Sequence, residues 1–180
     1  MMPVRLILAD PPWLCSDQLP GKGRGAAKKY KCMPTERIEA FTIPIGIEVA
    51  HDCLLLMWRL AAMQEDALRV VRAWGFEVKS EIVWEKETKH GKNHFGMGHY
   101  VRAAHETCLV ATRGRVKVAS RSVRSRFRAK VGKEHSDKPD EMYDIAERLS
   151  PGPYLELFAR RRRAGWLQLG DELEQAEAAE

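Results

Sequence analysis

The sequence predicts an α/β fold, and three observations carry that reading. Short apolar runs of strand length recur along the chain, at residues 4–9, 53–58, 106–112 and 154–159. Between them lie stretches whose apolar residues repeat every three or four positions, as in Met63, Ala67, Val70, Val71 and Trp74. Alternation of those two periods is the pattern of helices layered on a sheet. The 180 residues, 44% of them apolar, suit one domain with a sizeable core.

Taken in order, residues 4–9 read as a buried strand, and the string Asp10-Pro11-Pro12-Trp13 follows it directly. Residues 14–33 read as a loop rich in glycine and lysine, and a short helix follows Pro34 through Ile38 and Phe41. Residues 53–58 form a second strand, 62–74 a helix stopped at Gly75, and 76–84 a third strand ending at Trp84. A polar loop with Gly91, Gly96 and Gly98 leads to a fourth strand at 106–112. A further strand is expected near 122–131. Residues 138–149 are the clearest helix: Pro139 sits in its first turn, Met142, Ile145, Ala146 and Leu149 make one face, and Pro151-Gly152 stop it. Strands at 154–159 and 166–169 complete the pattern. One domain over residues 1–173 is expected, with 174–180 an acidic, frayed tail.

The most informative stretch is the end of the first strand, where open α/β sheets bind their ligands. Asp10 can accept a hydrogen bond from an amine. Pro11 and Pro12 have fixed φ and no N–H, so their carbonyls are held in place and free to accept. Trp13 offers a flat face to a ring. Together they suit an exocyclic amino group on a planar base. The competing reading is structural: a rigid turn ends the strand and the tryptophan is core. Trp58, Trp74 and Trp84 fall in regular elements and read as core.

Charge is unevenly spread. The net charge is +5, and residues 21–31 carry Lys22, Arg24, Lys28, Lys29 and Lys31 with no acid. Residues 113–133 carry nine cations and no acid, Arg121, Arg124, Arg126, Arg128 and Lys130 among them. Such runs repel themselves unless a polyanion is near, which points to a phosphate backbone. Tyr30, inside the first basic stretch, counts with it among the candidate nucleic-acid contacts. No stretch approaches the ~20 apolar residues of a membrane span, so no membrane partner is expected. The four cysteines form no Cys-x-x-Cys pair and no zinc spacing with the six histidines. No metal is expected; Cys53 and Cys108 read as core thiols, and the setting as reducing and cytoplasmic.

In this order the motifs are specific. After Asp10-Pro11-Pro12-Trp13 come Leu55-Leu56-Met57-Trp58, Ala73-Trp74-Gly75-Phe76 and Ile82-Val83-Trp84-Glu85-Lys86. Then follow Gly96-Met97-Gly98-His99-Tyr100, His105-Glu106-Thr107-Cys108-Leu109-Val110 and His135-Ser136-Asp137-Lys138-Pro139. Glu147-Arg148-Leu149-Ser150-Pro151-Gly152 leads into Glu156-Leu157-Phe158-Ala159-Arg160. With that series, the chain resembles the MT-A70 family of adenine amino-methyltransferases, in particular its compact bacterial and phage members.

The resemblance implies a Rossmann-like class I methyltransferase sheet, mostly parallel, with helices on both faces and the catalytic strand ahead of the cofactor strand. It implies S-adenosyl-L-methionine as methyl donor, with Asp10, Lys138, Phe158, Arg160, Arg163, Asp171 and Glu172 at cofactor-site positions. One departure is that Arg160 to Arg163 stand where a glycine-rich turn is usual. Relatives pair through the loop after Trp84, which extends to a homodimer here. The activity implied is methylation of the 6-amino group of adenine, with Asp10 and the Pro11 carbonyl accepting its two hydrogens and Trp13 holding the ring. DNA is the leading substrate. The alternatives are the same chemistry on RNA and a non-catalytic nucleic-acid-binding subunit.

Overall fold

The computed structural model describes residues 2–14, 32–96, 100–132, 137–171 and 173. Its centre is β1 (Val4–Ala9), followed by α1 (Thr35–Glu39), β2 (Val49–Arg59) and α2 (Gln64–Ala73), the last led in by a 3-10 turn at Ala61–Met63. Then come β3 (Glu77–Glu87), β4 (His105–Arg113), β5 (Arg126–Lys130), α3 (Glu141–Leu149), β6 (Tyr154–Leu157) and β7 (Trp166–Leu169). The strands form one seven-stranded sheet in the order β5-β3-β4-β2-β1-β6-β7. Every neighbouring pair is parallel except the two made by β4, which runs against both β2 and β3.

Alternation along the strands splits the core in two. Ile7 and Ala9 join Leu55 and Met57, together with Ile38 of α1 and Ala67, Val70 and Val71 of α2. Leu6 and Leu8 join Leu54, Leu56 and Trp58, together with Met142, Ile145 and Ala146 of α3. Neighbours on both sides of β1 explain why it reads as a continuous apolar run. Cys53 and Cys108 are fully buried. Burial pushes the Cys53 thiol up to about 12 and that of Cys108 well above its ordinary value, so both stay protonated.

All the expected elements form, with shifted ends. β2 begins at Val49 rather than 53, because half-buried and exposed residues extend the strand beyond its apolar run. β3 continues to Glu87, and its polar end pairs with β5. Pro139 lies before α3 rather than in its first turn, its carbonyl accepting from the Met142 N–H at 3.1 Å. β6 stops at Leu157 rather than 159, because Phe158 takes φ 63° and breaks the extended run. Trp58 and Trp84 are buried as expected, whereas Trp74 is half-buried and donates its indole N–H to the Ile38 carbonyl at 3.0 Å. The acidic tail lies outside the described residues.

Candidate active site

β1 delivers Asp10 to the C-terminal edge of the sheet, and the two prolines then turn the chain sharply. The Trp13 N–H donates to the Pro11 carbonyl at 2.8 Å, and the Met33 N–H donates to the Pro12 carbonyl at 2.7 Å. The Leu14 N–H returns to the Met33 carbonyl at 3.2 Å. Both proline oxygens expected to be free are therefore engaged, that of Pro11 by the turn itself and that of Pro12 because residue 33 comes back alongside the turn. The Pro11 oxygen keeps a second lone pair.

Trp13 corrects the sequence reading more firmly. Its side chain is core, 5% exposed, and its indole N–H donates to the Trp58 carbonyl at 3.1 Å. A ring that fills space behind the turn and bonds the end of β2 has no open face for stacking a base. The structural reading of this tryptophan holds: it anchors the turn that presents Asp10.

Asp10 sits in a chain of charges. Lys138 Nζ lies 2.9 Å from Asp10 Oδ2 and 3.4 Å from Glu106 Oε2. Lys86 Nζ lies 2.6 Å from Glu106 Oε1, and an Arg160 guanidinium nitrogen 3.7 Å from Asp10 Oδ2. Burial opposes the charge of Glu106, but Lys138 and Lys86 outweigh it and hold the carboxyl below its ordinary range. Burial likewise opposes the charge of Lys138, and Asp10 and Glu106 outweigh it, so the ammonium is held above its ordinary value. Both groups are therefore charged at neutral pH.

A cavity opens beside this chain. Asp10, Lys138, Phe158 and Arg160 line it, four of the residues expected at the cofactor site. Its inner wall is made by Trp58, Tyr143 and Glu156. Lys138 Nζ lies 5.6 Å from the Trp58 ring centroid. Phe158 also leans on Phe41, centroids 5.0 Å apart, so part of its ring is taken up by packing. The donor set fits S-adenosyl-L-methionine. Two cations suit its carboxylate, carboxylates suit its ammonium, and the buried Trp58 indole N–H has no acceptor among the described residues.

Other expected residues lie elsewhere. Arg163 turns away from the cavity to α3, 3.1 Å from Glu147 Oε1 and 3.4 Å from Asp144 Oδ1, and stacks over Tyr143 at 4.5 Å. The reason is local: two acids three residues apart on one helix face offer it a better site. Asp171 is exposed and lies outside the cavity lining. Glu172, Lys22, Arg24, Lys28, Lys29, Tyr30 and Lys31 lie outside the described residues. Arg121, Arg124, Arg126, Arg128 and Lys130 are all exposed, as a backbone-gripping surface requires. The run is not free of acids in space, however. Arg126 and Arg128 both bond Glu85 at 2.9 Å, and Arg128 lies 3.8 Å from Glu87. The hydrogen bond from Arg128 and the charge of Arg126 hold Glu85 below its ordinary range.

Sequence reasoning missed Lys86, Glu106, Tyr143, Glu156 and Gln168. Tyr143 Oη donates to Glu156 Oε1 at 2.9 Å, and the Gln168 amide donates to Glu156 Oε2 at 2.6 Å. Glu156 is 8% exposed, and burial raises its carboxyl above the ordinary range despite these two donors.

The MT-A70 family model matches residues 4–172, nearly the whole chain. The chain belongs to the MT-A70 family. A putative N(6)-adenosine-methyltransferase MT-A70-like of Medicago truncatula is 31% identical over 177 residues, covering 93% of this chain and 26% of that protein. The human N(6)-adenosine-methyltransferase catalytic subunit METTL3 is 28% identical over 178 residues, covering 94% of this chain and 28% of that protein. The type II methyltransferase M.MunI of a Mycoplasma species is 26% identical over 189 residues, covering 94% of this chain and 77% of that protein. The chain thus spans about a quarter of the plant and human relatives and about three quarters of the Mycoplasma one. Its MT-A70 match takes in Asp10, Glu106, Lys138, Glu156 and Arg160 together.

Proposed function

We propose that this chain methylates the 6-amino group of adenine in nucleic acid, with S-adenosyl-L-methionine as donor and DNA as the leading substrate. One observation carries the reading: Asp10 stands at the sheet edge beside the Pro11 carbonyl and on the wall of a cavity that also holds Lys138 and Arg160. Membership of the MT-A70 family supports the chemistry. The permuted Rossmann-like reading is supported by β1 and β6 lying side by side and parallel although the motif strand comes first in the chain, and the reading of helices on both faces by α1 and α2 packing in one core cluster and α3 in the other.

When bound, the donor supplies a methyl group activated on a positively charged sulfur. Lys138 and Arg160 would hold its carboxylate, and Phe158 would pack on its adenine. Adenine's exocyclic amine is a poor nucleophile because its lone pair is delocalised into the ring. Asp10 Oδ1 and the second lone pair of the Pro11 oxygen would accept its two hydrogens. That arrangement favours a pyramidal nitrogen with its lone pair free, so the gain comes from orientation and fixed dipoles. The nitrogen becomes acidic only after alkylation, and Asp10 or water then takes the proton. In a duplex the base must leave the stack, at a cost of roughly a few kcal/mol. The exposed arginines 121, 124, 126 and 128 offset that cost by holding phosphates. The pairs of Arg126 and Arg128 with Glu85 and Glu87 are exposed and weak enough to exchange for a backbone.

The likeness to a type II methyltransferase, of which the chain covers 77%, supports DNA. RNA is the second reading, favoured by relatives named for adenosine, the ribonucleoside. A non-catalytic subunit has no need of the intact Asp10-Pro11-Pro12 turn. A homodimer through the loop after Trp84 belongs to the same proposal. The test is incubation with methyl-labelled donor and matched DNA and RNA, followed by nucleoside mass analysis. Label in N6-methyl-deoxyadenosine supports the leading reading; label only in the ribonucleoside supports the second; label in neither ends both.

A further inference from the structure

We infer that Gln168 is a positioning residue for the methyl donor: its amide fastens the loop carrying Arg160 to the buried Glu156. The inference rests on the reading of the cavity as the donor site.

The loop between β6 and β7 holds four consecutive arginines and lacks the glycine-rich turn that commonly shapes this connection. Something else must fix its path, and Gln168 does so from β7. It pairs with Glu156 across the β6–β7 ladder. Its Oε1 accepts from the Arg163 N–H at 2.6 Å. Its Nε2 donates to the Arg161 carbonyl at 2.7 Å and to Glu156 Oε2 at 2.6 Å. One side-chain amide thus closes the backbone on both sides of Arg162 and ties that bend to the cavity wall. The other Glu156 oxygen is held by Tyr143 of α3. From outside, the Arg161 guanidinium bonds the Lys138 carbonyl at 3.1 Å. The residue before this fastened bend is Arg160, which lines the cavity with a guanidinium nitrogen 3.7 Å from Asp10 Oδ2. An apolar residue at 168 would release two backbone groups and leave a buried carboxylate oxygen without its donor.

A residue that only stabilises the fold lowers the melting temperature but leaves donor affinity of the folded molecules unchanged. The experiment is calorimetric titration of the full chain with S-adenosylhomocysteine, comparing wild type, Gln168→Leu and Gln168→Glu. Duplex binding at low salt is measured alongside. Gln168→Leu is expected to weaken the nucleoside roughly tenfold or more and to leave duplex affinity unchanged. Gln168→Glu sets a second carboxyl against Glu156. Asp10 after β1, Tyr143 of α3 and the loop residues Arg161 and Arg163 are the other titratable or charged groups around it. Two carboxylates so placed share a proton. The variant should bind weakly at about pH 8 and recover several-fold at about pH 5.5, while wild type shows no comparable recovery. Wild-type affinity in Gln168→Leu, or a Gln168→Glu variant equally weak at both pH values, overturns the inference. A wild type that binds no nucleoside overturns the cavity reading itself, and this inference with it.

Discussion

Lys138 Nζ bridges two carboxylates, 2.9 Å from Asp10 Oδ2 and 3.4 Å from Glu106 Oε2, with all three side chains largely buried. Removing the cation leaves two acids facing each other. Arg160 and Lys86 remain to soften the loss, so Lys138→Met should cost about 1–3 kcal/mol rather than the larger penalty of a fully orphaned charge. The pH dependence has a definite sign. The Glu106 carboxyl is held low, so its contribution exists above its unfolded value and vanishes as pH falls through the folded one. Lys138 is held high, so its contribution exists below its unfolded value and vanishes as pH rises through the folded one. The destabilisation should be greatest between about pH 5 and about pH 10 and shrink at both ends. Urea unfolding at four or five pH values measures it.

Asp10→Asn keeps the shape of the side chain and one acceptor oxygen but removes its charge and adds a donor. If Asp10 orients the amine, methyl transfer at saturating donor and nucleic acid should fall roughly a hundredfold or more. Glu106→Gln, one step further along the charge chain, should lose much less. The check is single-turnover kinetics on both variants, with circular dichroism to establish that each is folded. Equal losses would mean that the whole charge chain, and not Asp10, sets the rate.

The position of Asp10 was legible because the motif strand carries its own signal: an apolar run buried on both sides that ends in an acid. The helix at α3 and the strands around it were legible for the same reason, as periodicity alone sets them. What escaped the reading depends on which distant residues meet. Asp10 and Lys138 are 128 positions apart. Trp13 is stationed by a carbonyl at Trp58, which no local pattern reveals. Arg163 finds its acids on a helix before it, and Arg126 and Arg128 find theirs on β3. Two of the missed residues did leave a trace. Glu106 shares its strand face with Cys108, and Glu156 sits between Leu155 and Leu157 in a run read as buried. A carboxylate on a buried strand face needs a partner, and each has one.

Trp13→Phe separates a packing role from a stacking role. The phenyl ring leaves a small void and strips the Trp58 carbonyl of its donor, which should cost about 1–3 kcal/mol of stability. The Michaelis constant for nucleic acid should stay within about threefold, because the ring is packed in the core and held by the Trp58 carbonyl. Thermal denaturation and steady-state kinetics on the same preparation decide it. A large rise in that constant with unchanged stability would restore the stacking role.

Gly170 and Gly165 flank β7, and the structure gives them different reasons to be glycine. Gly170 lies against the backbone of Ala159, where a Cβ would overlap the Ala159 carbonyl oxygen. Backbone cannot swing aside as a side-chain tip can. Gly170→Ala must therefore push the chain at Ala159, strain the Ala159 N–H bond to the Leu169 carbonyl at 2.9 Å, and move its neighbours Phe158 and Arg160. Gly165 has open space around its Cβ position but takes φ +81°, so Gly165→Ala pays only the strain of a left-handed backbone, about 1 kcal/mol. Both variants should be less stable, Gly170→Ala by about 1–3 kcal/mol. Affinity for S-adenosylhomocysteine separates them: it should fall severalfold or more in Gly170→Ala and hold in Gly165→Ala, because only the first displaces residues that line the cavity. Calorimetric titration of the two variants side by side makes the comparison, and equal affinities would mean that the close approach at Ala159 does not govern the site.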